Sequence, residues 1–358
     1  MSTIALLFTG GTIGCVVHNG KADPAAESNR LLVAHFRRTY PACAVEFRET
    51  EPLSTLSENM TIPKWNRLLE ALRQADSEEV DGIVITHGTD TLAYTAALLD
   101  LMWTGKSTPI ILVSSHTPPT DPQANGHRQF GAAVEAILTG QARGVTAALE
   151  LPPVVFPSEE NPTACASQSS PNMGPPPGTS PASRESDRRQ EPVRLIPGHQ
   201  LTQCQSLTDR FGWVPARDWI SPAVPLIDSD VSLSPCVLLV HPYPGMDMRS
   251  LNLPDGTRAV VYELYHSGTA CVEGMYTGIG SLLARCAARD IPLFVCSTPA
   301  ADAAYRYTST STMLKREAAA PLPLSGITIE SAYALLLTAA SRTDTSSALI
   351  TAVYALLG

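Results

Sequence analysis

Residues 81–103, "DGIVITHGTDTLAYTAALLDLMW", join a strand pattern to a helix pattern through a polar corner. Residues 83–85 are a continuous apolar run bounded by polar residues, and residues 92–103 are an apolar stretch long enough for a buried helix. The corner between them holds an imidazole, a carboxylate and three hydroxyl groups. A helix start needs only one capping side chain. The corner therefore carries more polar groups than a purely structural turn requires.

The same alternation of strand and helix patterns extends to both sides of this segment. Strand patterns are "TIALLFTGG" (3–11), "PIILVSS" (109–115) and "GVTAALEL" (144–151), and helix patterns are "TIPKWNRLLEALRQA" (61–75) and "GHRQFGAAVEAILTG" (126–140). Continuous apolar strands between helices are typical of a parallel sheet covered on both faces. The pattern predicts an α/β fold with a doubly wound, mostly parallel sheet.

The length of 358 residues predicts more than one domain in this chain. Residues 1–151 are predicted to form a larger N-terminal α/β domain, and residues 152–193, rich in Pro and Ser, a mobile insertion. Residues 194–233 are predicted to complete the first domain and link it to a smaller α/β domain, residues 234–358.

Charge and cysteine usage exclude several classes of function. The net charge of −9 disfavours nucleic-acid binding, which needs a basic face. The eight cysteines form no C-x-x-C pair, so no metal site is predicted. There is no apolar stretch of about 20 residues to cross a membrane and no leader pattern over residues 1–14, which favours a cytoplasmic protein.

Two polar corners follow strand patterns, where open parallel sheets bind their ligands. In "FTGGTIG" (8–14), glycines surround Thr12, but the dinucleotide pattern G-x-G-x-x-G and a P-loop lysine are absent. Thr12 is therefore a candidate nucleophile, with a structural cap as the alternative. In the second corner Asp90 could hold an ammonium group and Thr89 a water, while His87 either takes part in chemistry or only satisfies backbone groups.

The two corners together resemble the bacterial-type L-asparaginase/glutaminase family. The resemblance rests on "TGGTIG" (9–14), "LSENMT" (56–61) and "HGTDTLAYTA" (87–96), and is strongest over residues 1–150. It implies hydrolysis of a side-chain carboxamide to an acid and ammonia, without metal or cofactor. It also implies a small-molecule amide or amino-acid ligand and a homodimer or homotetramer.

The resemblance also implies roles for individual residues. Thr12 matches the nucleophile, and Thr89 and Asp90 match members of a second catalytic group. Ser57 and Glu58 match positions that bind the α-carboxylate and α-amine of an amino acid, with Asp90 sharing the amine. Backbone amides near Gly11, Thr89 and Ser115 would stabilise the oxyanion. The implied substrate-binding set is Gly11, Ser57, Glu58, Gly88, Asp90 and Ser115.

Two departures from the family pattern concern the groups that activate the nucleophile. The family completes its second catalytic group with a lysine; here Thr202 is followed by Gln203, and there is no lysine between residues 107 and 314. The family's loop after the first corner supplies a tyrosine, but the first tyrosine here is Tyr40. His18 or Lys21 could replace it.

Four alternatives to an ordinary amidohydrolase follow. A specialised substrate could supply the missing proton acceptor. An inactive relative that keeps Ser57, Glu58 and Asp90 would bind an amino acid without turning it over. A component of a tRNA-dependent amidotransferase is disfavoured because the first strand begins at residue 3, and a nicotinamide dehydrogenase is disfavoured by the glycine pattern.

Overall fold

A computed structural model describes residues 2–121, 123–150, 193–203, 211–213, 219, 225–229, 232–265, 267–297 and 320–357. The strands are β1 (Ser2–Phe8), β2 (Cys15–His18), β3 (Lys21–Pro24), β4 (Val45–Thr50), β5 (Gly82–Thr86), β6 (Ile110–Val113), β7 (Val145–Glu150), β8 (Val193–Pro197), β9 (Leu201–Gln203), β10 (Phe211–Trp213), β11 (Val237–Val240), β12 (Ala259–Glu263), β13 (Leu293–Cys296) and β14 (Leu322–Leu324). The helices are α1 (Ala26–Thr39), α2 (Ile62–Ser77), α3 (Leu92–Trp103), α4 (Gly126–Leu138), α5 (Ile279–Ala287), α6 (Ile329–Arg342) and α7 (Ser346–Leu357).

The first sheet has six strands in the order β4-β1-β5-β6-β7-β8. All of its neighbouring strands are parallel except β8, which runs antiparallel to β7. In β1, Leu6 lies opposite Glu49 of β4 and Val84 of β5. Because β1, β5 and β6 are parallel, their carboxyl ends meet at one edge, and the polar corners lie there.

Helices cover both faces of this sheet. Ile4, Leu6 and Phe8 face a buried cluster that includes residues of α1 and α4, and Ala5 and Leu7 face the opposite cluster, which contains residues of α2 and α3. Successive strand side chains point to opposite faces, so each strand contributes to both cores. The predicted doubly wound, mostly parallel α/β arrangement is confirmed.

The second sheet has four parallel strands in the order β11-β12-β13-β14. Helix α5 packs on one face, where Leu282 and Cys286 are fully buried. Helix α6 packs on the other face and also against α3 of the first sheet. One apolar cluster thus runs from the first sheet through α3 and α6 to the second sheet.

The segment after the first corner forms a β-hairpin, where the sequence was expected to form a loop. Strands β2 and β3 are antiparallel and pair His18 with Lys21. The turn residues Asn19 and Gly20 have φ values of 52° and 74°, the left-handed backbone of a two-residue hairpin turn that Asn-Gly favours. The Asn-Gly dipeptide between two short strands was the signal for it.

Two strands of the first sheet were also absent from the predicted pattern. Strand β4 is an edge strand with exposed charged side chains, and β8 joins the opposite edge at the end of the Pro/Ser-rich stretch. The rest of the stretch 152–193 lies outside the described residues, so its predicted mobility and the predicted domain limits remain predictions. Within the described part of the chain, no helix is long and apolar enough to cross a membrane.

Candidate active site

Four chain segments meet at the carboxyl edge of the first sheet. Three follow strands β1, β5 and β6 directly, and the fourth, residues 53–59, lies between β4 and α2. The backbone amide of Gly11 donates to the carbonyl of Thr55 at 2.8 Å, and the amide of Thr55 donates to Thr9 at 3.1 Å. The amide of His87 donates to the carbonyl of Val113 at 2.8 Å. Backbone hydrogen bonds therefore join the β1 corner to residues 53–59, and the β5 corner to the end of β6.

Glycines at the contacts let these segments approach closely. A Cβ atom on Gly11 would lie 2.2 Å from the backbone nitrogen of Gly88, and one on Gly88 would lie 2.4 Å from Oγ of Ser57. Gly11 also has a φ of 74°, which favours glycine. Thr12 and Thr89 each follow one of two glycines in direct contact, so the structure brings the two predicted catalytic corners together.

Thr12 begins a short 3-10 turn, residues Thr12–Gly14, immediately after the glycines. Its side chain is half-buried. Among the described residues its hydroxyl has no hydrogen-bond partner, which distinguishes it from the neighbouring hydroxyl of Thr9, bonded at 2.5 Å to the carbonyl of Thr86. A half-buried, unbonded hydroxyl at the strand edge is accessible to a ligand.

Ser57 and Asp90 are joined by a reciprocal pair of hydrogen bonds. The Ser57 hydroxyl donates to Oδ2 of Asp90 at 3.0 Å and accepts from the Asp90 amide at 3.1 Å. The Thr91 hydroxyl donates to the Ser57 carbonyl at 3.0 Å. Ser57 is buried and Asp90 is exposed. The predicted carboxylate-binding and amine-binding residues thus form one contiguous unit.

Glu58 is exposed and lies in the 3-10 turn that Ser57 begins. Its negative charge reaches Cys15 at the start of the hairpin: burial raises the pKa of the Cys15 thiol to about 11, and the charges of Asp23 and Glu58 add to the shift. The thiol is therefore neutral near pH 7 and donates to the Gly11 carbonyl at 3.1 Å. The carboxylates of Asp23 and Glu58 therefore both act on the start of the hairpin.

Thr89 and Ser115 are both almost fully buried. The Ser115 hydroxyl shares its proton between the Thr117 carbonyl and Oδ1 of Asn125, and it accepts from the Gly126 amide at 3.1 Å. A Cβ atom on Gly126 would lie 2.8 Å from Cβ of Ser115 and 3.1 Å from the side chain of Ile13, next to Thr12. The Ser115 corner therefore packs close to the Thr12 corner.

His87 has a structural role in this geometry. Its Nδ1 lies 2.8 Å from the Gly88 carbonyl and therefore carries the proton, so Nε2 accepts from the Thr95 hydroxyl at 2.9 Å. Thr95 in turn accepts from the indole of Trp65 at 2.9 Å. Burial lowers the pKa of His87 to about 4. A neutral imidazole with both nitrogens bonded fits the alternative in which His87 satisfies internal groups.

The backbone of Gln203 ends strand β9, opposite Phe211 of β10. Its side chain lies outside the described residues, so its assignment to the position of the missing lysine remains a prediction. The preceding Thr202 donates to Oε1 of Glu330 at 3.1 Å, at the start of α6. Strand β9 also packs against α3, the helix that follows the Thr89 corner.

The described lysines have other contacts. Lys106 forms ion pairs with Asp76 and Asp228, and Lys64 donates to Thr55 and to the Asn59 carbonyl. Lys21 is exposed at the tip of the hairpin, paired with His18. With the hairpin extended, that tip lies roughly 13 Å along the strand from the first corner. Replacement of the tyrosine by His18 or Lys21 stays a prediction.

Sequence reasoning missed residues that hold the corners in place. Thr55 joins the Gly10–Gly11 backbone to the Ser57 segment. Asn125 accepts from Ser115 and from the His116 amide at 2.9 Å, and fixes the third corner. Both are ordinary polar residues in loops, and their partners are distant in sequence, so only the tertiary contacts identify them.

No group of three or more His, Cys, Asp or Glu side chains that could hold a metal ion occurs in the described part of the chain.

Comparisons with known proteins match this chain to asparaginases and to glutamyl-tRNA(Gln) amidotransferase subunits. The family model "Asparaginase, N-terminal" matches residues 3–151. A glutamyl-tRNA(Gln) amidotransferase subunit of Methanococcus maripaludis is 27% identical over 287 residues, covering 77% of this chain and 63% of that protein. The corresponding protein of Methanopyrus kandleri is 36% identical over 132 residues, 35% of this chain and 28% of its own length. The L-asparaginase of Thermococcus kodakarensis is 34% identical over 133 residues, 37% of this chain and 39% of the relative. The chain thus spans less than two thirds of the length of these relatives.

Solved structures agree over nearly the whole chain. The thermostable L-asparaginase of Thermococcus kodakarensis superposes with a TM-score of 0.67 at 21% identity, covering 98% of this chain and 96% of that one. L-asparaginase I of Vibrio cholerae gives a TM-score of 0.66 at 18% identity, again over 98% and 96%. At this identity the likeness establishes the shared two-sheet α/β fold. Residues 3–151 therefore match an asparaginase N-terminal domain, and the chain as a whole shares the fold of these L-asparaginases.

Proposed function

We propose that this protein is an amidohydrolase that cleaves a side-chain amide of asparagine, glutamine or a related specialised substrate, with Thr12 as the nucleophile. The observation that carries the proposal is the convergence of the Thr12, Ser57 and Thr89–Asp90 segments through the contacts of Gly11 and Gly88. A capping role for Thr12 has little support, because its hydroxyl bonds to no described residue. The proposal places the reactive hydroxyl beside an amino-acid site.

The reaction follows from the chemistry of a carboxamide. Oγ of Thr12 attacks the carbonyl carbon and loses its proton, the C–N bond breaks, and the nitrogen leaves as ammonia after taking up a proton. Water then attacks the resulting ester and releases the acid and free Thr12. Backbone amides near Gly11, Thr89 and Ser115 are suited to stabilise the oxyanion, because fixed donors at that point lower the barrier.

The ligand-binding part of the site matches the charges of an amino acid. Exposed carboxylates of Glu58 and Asp90 suit an α-ammonium group, and the Ser57 hydroxyl suits the α-carboxylate once its proton turns from Asp90 to the ligand. Gly88 supports this arrangement because its missing side chain admits Ser57. The proposed ligand is therefore a free amino acid with an amide side chain.

The second candidate is a relative that binds an amino acid without hydrolysing it. It is favoured by Gln203, since an amide side chain has no useful basicity and a threonine hydroxyl needs a base. Loss of a general base lowers the rate by roughly 10²–10⁴. Glutamine belongs in any test, because several matched relatives bear the name of a glutamyl-tRNA(Gln) amidotransferase.

Ammonia release and melting temperature together separate the two candidates. Purified protein is mixed with asparagine or glutamine, and Asp90→Asn and Gln203→Lys are measured in parallel. An amidohydrolase releases ammonia and loses that activity in Asp90→Asn. A pure binder shows a raised melting temperature with aspartate or asparagine but no ammonia, and Gln203→Lys then gains activity. Neither ammonia nor a thermal shift in the wild type would refute both candidates.

We also infer a homodimer or homotetramer, supported by an apolar surface on the second sheet. Tyr243, Val272, Met275 and Tyr276 are 59%, 38%, 78% and 42% exposed. They lie on two loops at its carboxyl edge, tied together where the Met248 amide donates to the Tyr276 carbonyl at 2.8 Å. Grouped exposed apolar side chains are typical of protein contact surfaces. A second copy of the chain is the proposed occupant.

A further inference from the structure

Lys64 makes two hydrogen bonds to the segment that carries Ser57 and Glu58. Its Nζ donates to Oγ1 of Thr55 at 2.8 Å and to the Asn59 carbonyl at 2.7 Å. The two partners lie on either side of the proposed ligand-binding residues. Thr55 also accepts from the Gly11 amide, next to Thr12. The lysine therefore braces the segment against the start of α2.

The position of this charge is unfavourable for the helix itself. Lys64 lies in the first turn of α2, after Ile62 and Pro63. The positive end of the helix dipole is at this terminus, where a cation is destabilising. No carboxylate of the described residues lies within ion-pair distance of Lys64, in contrast to Lys106, which contacts two. The local cost of this charge points to a role outside the helix, where both hydrogen-bond partners of Lys64 lie.

Among the described residues predicted for the candidate site, none is a cation. Its predicted residues supply two carboxylates, Glu58 and Asp90, for an ammonium group, and otherwise hydroxyl groups and backbone amides. An amino acid also carries an α-carboxylate, and a nearby positive charge stabilises it. An ammonium group has three N–H donors, and Lys64 uses two on Thr55 and Asn59.

We propose that Lys64 is a positioning and specificity residue for the amino-acid ligand: it braces residues 55–59 and places a positive charge beside the α-carboxylate bound at Ser57. This inference rests on the proposed function. It predicts discrimination between ligands that differ only in the charge of the α-carboxyl group.

The test is the affinity for L-aspartate and for isoasparagine, the aspartate derivative whose α-carboxylate is an amide, measured by titration calorimetry. Lys64→Met is expected to weaken L-aspartate binding about tenfold more than isoasparagine binding, because loss of the brace acts on both ligands and loss of the charge acts on L-aspartate alone. Lys64→Arg, which keeps the charge, restores most of the affinity. Arg67→Met is the matched control, because Arg67 lies on the same helix and donates to the Pro52 carbonyl at 2.8 Å, outside the braced segment.

Amide exchange tests the brace independently of any ligand. The Asn59 and Met60 amides donate to Leu56 and Ser57, and they should exchange faster in Lys64→Met but not in Arg67→Met. Unchanged L-aspartate affinity in Lys64→Met, or equal losses for the two ligands, would overturn the inference while leaving the proposed function intact. Absence of L-aspartate binding in the wild type would instead refute the proposed amino-acid site and this inference with it.

Discussion

At the scale of single residues, glycine contacts set the geometry of the candidate site. Gly11 and Gly20 have the same φ of 74°, but a Cβ on Gly11 would lie 2.2 Å from Gly88, whereas one on Gly20 would meet nothing within 4 Å. Comparing alanine substitutions at the two positions therefore separates the cost of backbone strain from the cost of steric overlap. Strain alone costs roughly 1–2 kcal/mol.

We predict that Gly11→Ala lowers the free energy of unfolding by about 3 kcal/mol more than Gly20→Ala, because only Gly11→Ala forces two backbones apart. Gly11→Ala should also abolish amino-acid binding, and Gly20→Ala should retain it. Urea unfolding and calorimetry measure the two effects. Equal losses of stability in the two variants would contradict the close contact.

His87 makes stability depend on pH. Its pKa is about 4 in the folded protein, below the ordinary 6.5, because burial disfavours the charged ring. Between pH 6.5 and pH 4 the imidazole of His87 is therefore protonated in the unfolded chain but neutral in the folded chain. The free energy of unfolding decreases as the pH falls through this range. This residue alone should lower the free energy of unfolding by about 2 kcal/mol between pH 7 and pH 5. His87→Asn should show a smaller loss over the same interval, measured by urea unfolding at each pH. An identical loss in the variant would argue against a buried neutral imidazole.

At the scale of elements, two helix starts offer a matched comparison. Thr328 precedes α6 and its hydroxyl accepts from the Ser331 amide at 3.1 Å, whereas Thr61 precedes α2 without a side-chain capping bond. Thr328→Ala should therefore cost about 1 kcal/mol of stability, and Thr61→Ala much less. Thermal unfolding of both variants tests this. A larger loss for Thr61→Ala would contradict the assigned caps.

The elements that could be predicted from sequence are those with a buried face. Strands β1, β5, β6 and β7 are almost wholly buried and appear as apolar runs, and α2 buries Trp65, Leu68, Leu69 and Leu72 on the face predicted from their spacing. Strand β4, "VEFRET", was missed because an edge strand can carry charges that interrupt an apolar pattern. The hairpin β2–β3 was missed although the sequence contains the Asn-Gly dipeptide that is typical of its turn.

For the candidate site, the sequence indicated the segments but not the contacts that join them. Motif resemblance identified the Thr12, Ser57 and Thr89–Asp90 segments, and the described geometry places them together. The bracing contacts of Thr55, Lys64 and Asn125 depend on residues brought together only by folding, so no local pattern marks them. The exception is the charge of Lys64 in a first helical turn, which opposes the dipole and is visible in the sequence.

At the scale of the whole molecule, the apolar surface on the second sheet bears on assembly. Met275 is 78% exposed, so Met275→Asp should leave the fold of the single chain intact while placing a charge in the proposed contact. The variant should show a smaller molar mass than the wild type by size-exclusion chromatography with light scattering. Leu138→Asp, at an exposed position that ends α4, is the control and should leave the mass unchanged. A wild-type protein that is already a monomer would contradict the inferred oligomer.

The central claim is that Thr12 is the nucleophile of an amide-hydrolysing site, and Thr12→Ala tests it most directly. The measurement is ammonia release from asparagine and glutamine by the variant and the wild type, with L-aspartate affinity measured on the same samples. We predict that the wild type releases ammonia and that Thr12→Ala keeps its affinity for L-aspartate but loses turnover by a factor on the order of 10³ or more. A Thr12→Ala protein that binds L-aspartate and still releases ammonia at a wild-type rate would contradict the assignment of Thr12.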